Sequence, residues 1–214
     1  MTALYWALIA YLIGSISFAV LVSRAFGLPD PRTFGSKNPG ATNVLRTGRK
    51  AAALLTLLGD GAKGWLAVFL AERYAGADPT LMTVAGVAVV VGHMWPLFFR
   101  FYGGKGVSTA AGVLFGFSAW LAVDVVATWL VIAGFFRISS LAALIAAASA
   151  QCFALMLFGV AHQFFWGVLV VVLLLIWRHR QNIRNLLAGT EGRLGRRDTG
   201  FAAQDGDQPA DAQR

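Results

Sequence analysis

Charge is scarce in this chain. Of its 214 residues only 13% are Asp, Glu, Lys or Arg, against roughly 25% in a soluble domain. With 57% of residues hydrophobic and gathered in long runs, a water-soluble globule is excluded. What remains is an all-α, polytopic integral membrane protein. Cysteine is nearly absent. Cys152 stands alone, which excludes an internal disulfide and a thiolate metal cluster, and its apolar run marks it as a small packing residue. Met1 to Ser23 holds no cation, so no basic n-region of a cleavable signal peptide is expected there. Pro31 to Gly59 holds no carboxylate, while Arg32, Lys37, Arg46, Arg49 and Lys50 place five cations within it. Hard metal ions want carboxylate ligands; a basic, acid-free stretch suits an anion instead.

The apolar runs divide into seven spans, at about 3–23, 51–71, 80–99, 107–116, 119–136, 140–160 and 164–177. The division of 107–136 rests on charge. As one helix this run reaches ~45 Å, too long for one crossing, whereas two full spans need ~40 residues. A break near Gly116-Phe117-Ser118 makes two short helices. Sixteen of the eighteen Lys and Arg then fall on one side of the membrane, with Arg73 outside and Lys63 within a span. That asymmetry places the N-terminus out and the C-terminus in. Residues 1–192 read as a single seven-helix membrane domain, and 193–214 as a polar tail expected to be disordered. Asp60 and Lys63 share a helical face three residues apart and should pair. Asp124 expects a hydrogen bond from a neighbouring helix.

The chemistry gathers in polar segments between spans. Gly35 to Arg46 reads Gly-Ser-Lys-Asn-Pro-Gly-Ala-Thr-Asn-Val-Leu-Arg. A basic loop in a membrane protein is ordinarily a topology signal, but topology needs only Lys and Arg. Here Ser36, Asn38, Thr42 and Asn43 add side-chain donors, and Gly35 and Gly40 let backbone N–H groups approach a ligand. Gly103-Gly104-Lys105-Gly106 opens an apolar run, where a helix N-terminus presents N–H groups and a positive dipole end. The seven-span topology brings both segments to one face with Arg137–Ser140 and His179–Asn182. Together they offer Lys37, Arg46, Lys105 and Arg137, the hydroxyls of Ser36, Thr42, Ser139 and Ser140, and the amides of Asn38, Asn43 and Asn182. This set suits two anions at an interface. His93 ends an apolar run, where a structural hydrogen bond and a phosphate contact are both open. His179 and Asn182 share a helix face.

Several chemistries are set aside. The glycine run lacks the spacing and final Ser or Thr of a P-loop. No His-x-x-x-x-Asp pair occurs, and no nucleophile elbow or triad acid beyond Asp30. His162 lies on the opposite side from His93 and His179, so no metal or other cofactor is expected. The net charge of +8 sits in loops between spans and suits phosphorylated substrates and anionic lipid headgroups better than nucleic acid. A transporter or channel for phosphate or glycerol phosphate is the alternative, but its outer side offers only Arg73. A scaffold for other lipid enzymes is a weaker third.

Three ordered motifs carry a resemblance. Gly14-Ser-Ile-Ser17, Asp30-Pro-Arg32 and Gly35–Arg46 form the first. Gly92-His-Met-Trp-Pro-Leu-Phe98 with Gly103-Gly-Lys-Gly-Val107 is the second, and His179-Arg-Gln-Asn-Ile183 with Gly189 and Glu191 the third. From Gly14 to Glu191 the chain resembles the bacterial acyl-phosphate:glycerol-3-phosphate acyltransferase family (PlsY). The resemblance implies a seven-helix, metal-independent enzyme of the bacterial inner membrane with its active site facing the cytoplasm. Such an enzyme moves a fatty acyl group from acyl phosphate to position 1 of glycerol 3-phosphate, the first acylation of phospholipid synthesis. Ser36, Arg46, Lys105, His179 and Asn182 match the family's phosphate and glycerol-phosphate contacts, Lys105 and Ser36 being the expected catalytic pair. Asn38, Thr42, Asn43, His93, Gly103, Gly104 and Gly106 lie within its motifs, and Ser140 matches with Ser139 beside it. Lys37 stands where the family often has glycine.

Overall fold

The computed structural model describes residues 1–195, and all regular structure among them is helical. Most of the polar tail expected at 193–214 therefore lies outside the described residues. Helices α1 (Thr2–Gly14) and α2 (Phe18–Ala25) form one 24-residue apolar element. It covers the span expected at about 3–23, but its helix is interrupted at Ser15, Ile16 and Ser17. A break frees backbone groups that lipid cannot satisfy, and neighbouring helices supply partners. Lys63 Nζ donates to the Ile16 carbonyl at 2.6 Å. Ser15 Oγ donates to the Tyr11 carbonyl at 2.9 Å and accepts the Leu97 N–H at 3.1 Å.

A short helix α3 (Ala41–Leu45) lies in the basic loop. Next comes α4 (Lys50–Tyr74), then α5 (Pro79–Met94), whose first turn is capped by Asp78 accepting from the Thr80 and Leu81 N–H groups. Pro96 stops α5 and a single 3₁₀ turn follows at Leu97–Phe99. Helix α6 (Val107–Phe117) has 11 residues, about 17 Å of rise, and ends one residue before α7 (Ala119–Phe136). The break expected near Gly116–Ser118 is thus at Ser118. Helices α8 (Ser139–Phe158) and α9 (Gln163–Arg178) complete the bundle, and α10 (Arg180–Leu187) leaves α9 at 58°. Five helical elements are long and apolar enough to cross a membrane, six if the bent pair counts as one, with α6 apolar but shorter.

Apolar burial does not drive association between helices already in lipid, so close backbone approach matters more. Helix α4 packs on α6, α1 on α5, and α7 on α8. At the first crossing a Cβ on Gly64 would strike the Thr109 carbonyl, and one on Gly112 would strike that of Gly61. Around these crossings Val68, Val89, Val113 and Val168 are fully buried, and the Phe117 and Phe164 rings stack at 4.3 Å. Asp60 and Lys63 pair as expected, at 2.8 Å. Asp124 accepts from Ser149 Oγ of α8 at 2.7 and 2.9 Å. Cys152 corrects its sequence reading: it is exposed on α8 rather than packed inside, because the neighbours of α8 cover the alanine face instead.

Candidate active site

One end of the bundle collects the polar loops around a cavity of about 790 Å³. Ser36, Asn38, Thr42, Asn43 and Arg46 line it from the basic loop and α3, His93 from the end of α5, and Lys105 and Gly106 from the start of α6. Ser139, Ser140, His179 and Asn182 enter from the ends of α8, α9 and α10. Away from this polar end the walls are apolar, with Leu114, Val125, Trp129, Ala146, Ala150 and Val168 among them. Leu57, Leu58, Phe115, Val126 and Leu130 line the cavity, and each is exposed rather than enclosed. The cavity therefore opens sideways between apolar helices.

The basic loop keeps its shape through its own side chains. Asn43 is 1% exposed. Its Nδ2 donates to the carbonyls of Pro31 at 2.7 Å and Phe34 at 3.2 Å, and its Oδ1 accepts the Ser36 N–H at 3.0 Å. Asn43 thereby sets where Ser36 stands. Arg32 grips the Asp30 carboxylate with Nε and Nη2 and reaches the Phe99 carbonyl at 3.4 Å. That bond, charge-assisted and forked, holds the Asp30 carboxyl below its usual range.

The glycine loop is built by close packing. A Cβ on Gly103 would strike the His93 carbonyl, and one on Gly104 the His93 ring. The Gly104 N–H donates to the His93 carbonyl at 3.1 Å, and Arg178 donates to the carbonyls of Gly103 at 2.7 Å and Gly104 at 2.9 Å. These two glycines are spoken for by protein groups and do not line the cavity. Gly106, at φ +86°, does line it and caps α6. Lys37 and Arg137 are also absent from the lining. Lys37 turns the chain at φ +54°, and the Arg137 carbonyl accepts the Leu194 N–H at 2.6 Å.

An acid enters where none was expected. Glu191 lines the cavity, and its Oε1 accepts from Ser140 Oγ and from Asn182 Nδ2, each at 2.6 Å. Nothing in the local pattern marks it, since folding brings Ser140 and Glu191 together across 51 residues. Its place within the third motif was the one available signal. Burial drives the Lys105 ammonium down to about 8; Glu191 opposes this, while Arg178 and Arg46 add to it. Burial, with Lys105 nearby, takes His179 down to about 4. Its Nδ1 lies 2.8 Å from the Leu175 carbonyl. A carbonyl only accepts, so Nδ1 carries the proton and neutral Nε2 is left as an acceptor. Among the described residues, no group of three or more His, Cys, Asp or Glu could hold a metal ion.

A cavity with cationic and polar side chains at one end and apolar walls at the other suits a ligand that is itself part anionic and part apolar. Comparison with known proteins gives the particular kind of protein. The family model described as glycerol-3-phosphate acyltransferase matches residues 4–189, and the chain belongs to that family. A glycerol-3-phosphate acyltransferase of Burkholderia multivorans is 58% identical over 210 residues, covering 96% of this chain and 99% of its own. One of Burkholderia ambifaria is 58% identical over 207 residues, 96% of each chain. Crystal structures of PlsY (YgiH), an integral membrane glycerol 3-phosphate acyltransferase, share the fold. The glycerol 3-phosphate form aligns with TM-score 0.84 and 40% identity over 91% of this chain and 96% of its own. The lysophosphatidic acid form aligns with TM-score 0.84 and 37% identity over 95% of this chain and all of its own. The chain is a multi-pass membrane protein.

Proposed function

We propose that this protein transfers a fatty acyl group from acyl phosphate to the 1-hydroxyl of glycerol 3-phosphate, releasing lysophosphatidic acid and inorganic phosphate. The observation that carries this reading is that one cavity has Arg46, Lys105 and His179 at one end and apolar walls at the other. Two phosphates need cations; one acyl chain needs a dry trough that opens to lipid. Membership of the family supports the same reaction.

In this reading Lys105 and the N-terminus of α6, including Gly106, hold the donor phosphate. Arg46, His179 and Asn182 hold the acceptor, with Ser36, Asn38, Thr42 and Ser140 completing the polar wall. Asn43 and His93 line that wall and help set its shape, and Gly103 and Gly104 support it from behind. His179 Nε2, as an acceptor, faces a glycerol hydroxyl better than a phosphate oxygen. The hydroxyl oxygen attacks the acyl carbon, the bond from that carbon to the phosphate oxygen breaks, and the hydroxyl proton passes to the departing phosphate. A histidine as weakly basic as His179 makes a poor general base. The protein's contribution is then positioning and charge stabilisation. The chain crosses the bacterial inner membrane seven times, with α6 as a short span, N-terminus out, C-terminus in and the polar end in the cytoplasm. Residues 1–192 form the catalytic domain and 193–214 a polar tail.

The test uses detergent-purified protein. Phosphate should be released from acyl phosphate only when glycerol 3-phosphate is present, with little or no turnover of acyl-CoA or acyl carrier protein. Comparable turnover with acyl-CoA would refute the donor assignment.

A further inference from the structure

Arg178 belongs to none of the substrate contacts above, yet three of its hydrogen bonds reach the glycine loop that carries Lys105. It is the last residue of α9 and precedes the 58° bend into α10. Its Nη2 donates to the Gly103 carbonyl at 2.7 Å and the Gly104 carbonyl at 2.9 Å, and its Nε donates to the Gly104 carbonyl at 3.1 Å. The guanidinium also lies 5.6 Å from the centre of the Trp95 ring, which packs on Trp177. A cation at a helix C-terminus is favourable for any protein, and a lysine would serve that end equally. Two adjacent carbonyls gripped by one planar fork is a geometry only arginine offers.

The grip has a directional consequence. A trans peptide points its N–H opposite to its C=O. Pinning the Gly104 carbonyl toward Arg178 therefore turns the Lys105 N–H away from it. On the other flank the Gly104 N–H is tied to the His93 carbonyl at 3.1 Å. The loop that carries Lys105 is thus held between the ends of α5 and α9. The residue after Arg178 is His179, and α10 carries Asn182. One side chain joins the segment placed on the donor side to the segment placed on the acceptor side.

We infer that Arg178 is a positioning residue: its guanidinium fixes the distance between Lys105 and the His179–Asn182 bend, and so the approach of the two substrates. The inference rests on the proposed acyl transfer. Wild-type protein assayed alongside keeps the two separable: an inactive wild type overturns the reaction, whereas an active wild type exposes Arg178 to its own test. Arg178→Lys keeps the charge and loses the fork. Its kcat should fall about 10²-fold, the cost of ångström-scale misplacement, while KM for each substrate moves less than about threefold, as for a contact made good only in the transition state. The pH profile separates charge from geometry. Lys105 faces Arg178, Arg46 and Glu191, with neutral His179 nearby. Arg178→Gln removes a like charge, so the alkaline limb of kcat/KM for acyl phosphate should move up; Arg178→Lys should leave it in place. A kcat for Arg178→Lys within twofold of wild type overturns the inference. If that variant does not fold, Arg178→Ala is assayed with methylguanidinium. Recovery of turnover by that ion, and not by methylammonium, supports a forked grip; no recovery overturns it.

Discussion

Lys105 carries its charge under protest. Half-buried beside Arg178 and Arg46 and eased only by Glu191, its ammonium is pulled down to about 8. The sign of the consequence follows directly. A depressed lysine is charged below that value and neutral above it, so a function that needs the charge is complete at lower pH and lost as pH rises. For the free enzyme, kcat/KM for acyl phosphate should be level up to about pH 8 and then fall, because this ratio reports free-enzyme ionisations. Lys105→Ala should nearly abolish turnover and remove that limb. A limb that stays near the ~10.4 of an ordinary lysine would show that Lys105 does not carry the activity in its buried state. Much at this scale was legible in the chain. Ser36, Arg46, Lys105 and His179 stand out because cations, glycines and small polar residues cluster between apolar runs. Glu191 and Arg178 do not stand out. The contacts that bring them to the site cross 51 and 74 or more residues, and no local period records such contacts.

Helices were readable where composition changes sharply. Pro79, Pro96, Ser118 and the glycines before Val107 mark ends that the structure has within a few residues. The break in the first span was not readable, because the group that satisfies its freed Ile16 carbonyl is Lys63, 47 residues away. Gly14-Ser15-Ile16-Ser17 is weak helix sequence, and in lipid a carbonyl freed by a break needs a donor from a neighbouring helix. Lys63 answers two needs at once, the Ile16 carbonyl and the Asp60 carboxylate at 2.8 Å. Lys63→Met should therefore be severe, since breaking a buried pair costs about 3–5 kcal/mol, with His93, whose Nδ1 lies 3.5 Å from Asp60 Oδ1, the remaining neighbour of the carboxylate. Adding Asp60→Asn should return part of that loss by removing the stranded charge. Thermal unfolding of both variants in detergent measures this. A double variant no more stable than Lys63→Met alone would place the whole effect on the broken helix and none on the ion pair.

The arrangement across the membrane is a property of the whole molecule. Charge asymmetry predicts that Lys37 and Arg184 share the cytoplasmic side and that Ala77 lies opposite. Because Cys152 is exposed, Cys152→Ala is the proper background for single-cysteine labelling. Lys37→Cys and Arg184→Cys should react with an impermeant thiol reagent only from the cytoplasmic side, and Ala77→Cys only from outside. Reaction of the first two from opposite sides would refute the seven-span arrangement. The sideways opening between Leu57, Leu58, Phe115, Val126 and Leu130 has a separate consequence. The two substrates arrive from different phases, one dissolved in water and one in the plane of the bilayer. The effective concentration of the second is then a mole fraction of the surface. Diluting the membrane with inert lipid slows capture of the donor even when the bulk quantity of every reactant is unchanged, and the product is delivered into the same two-dimensional solvent without passing through water.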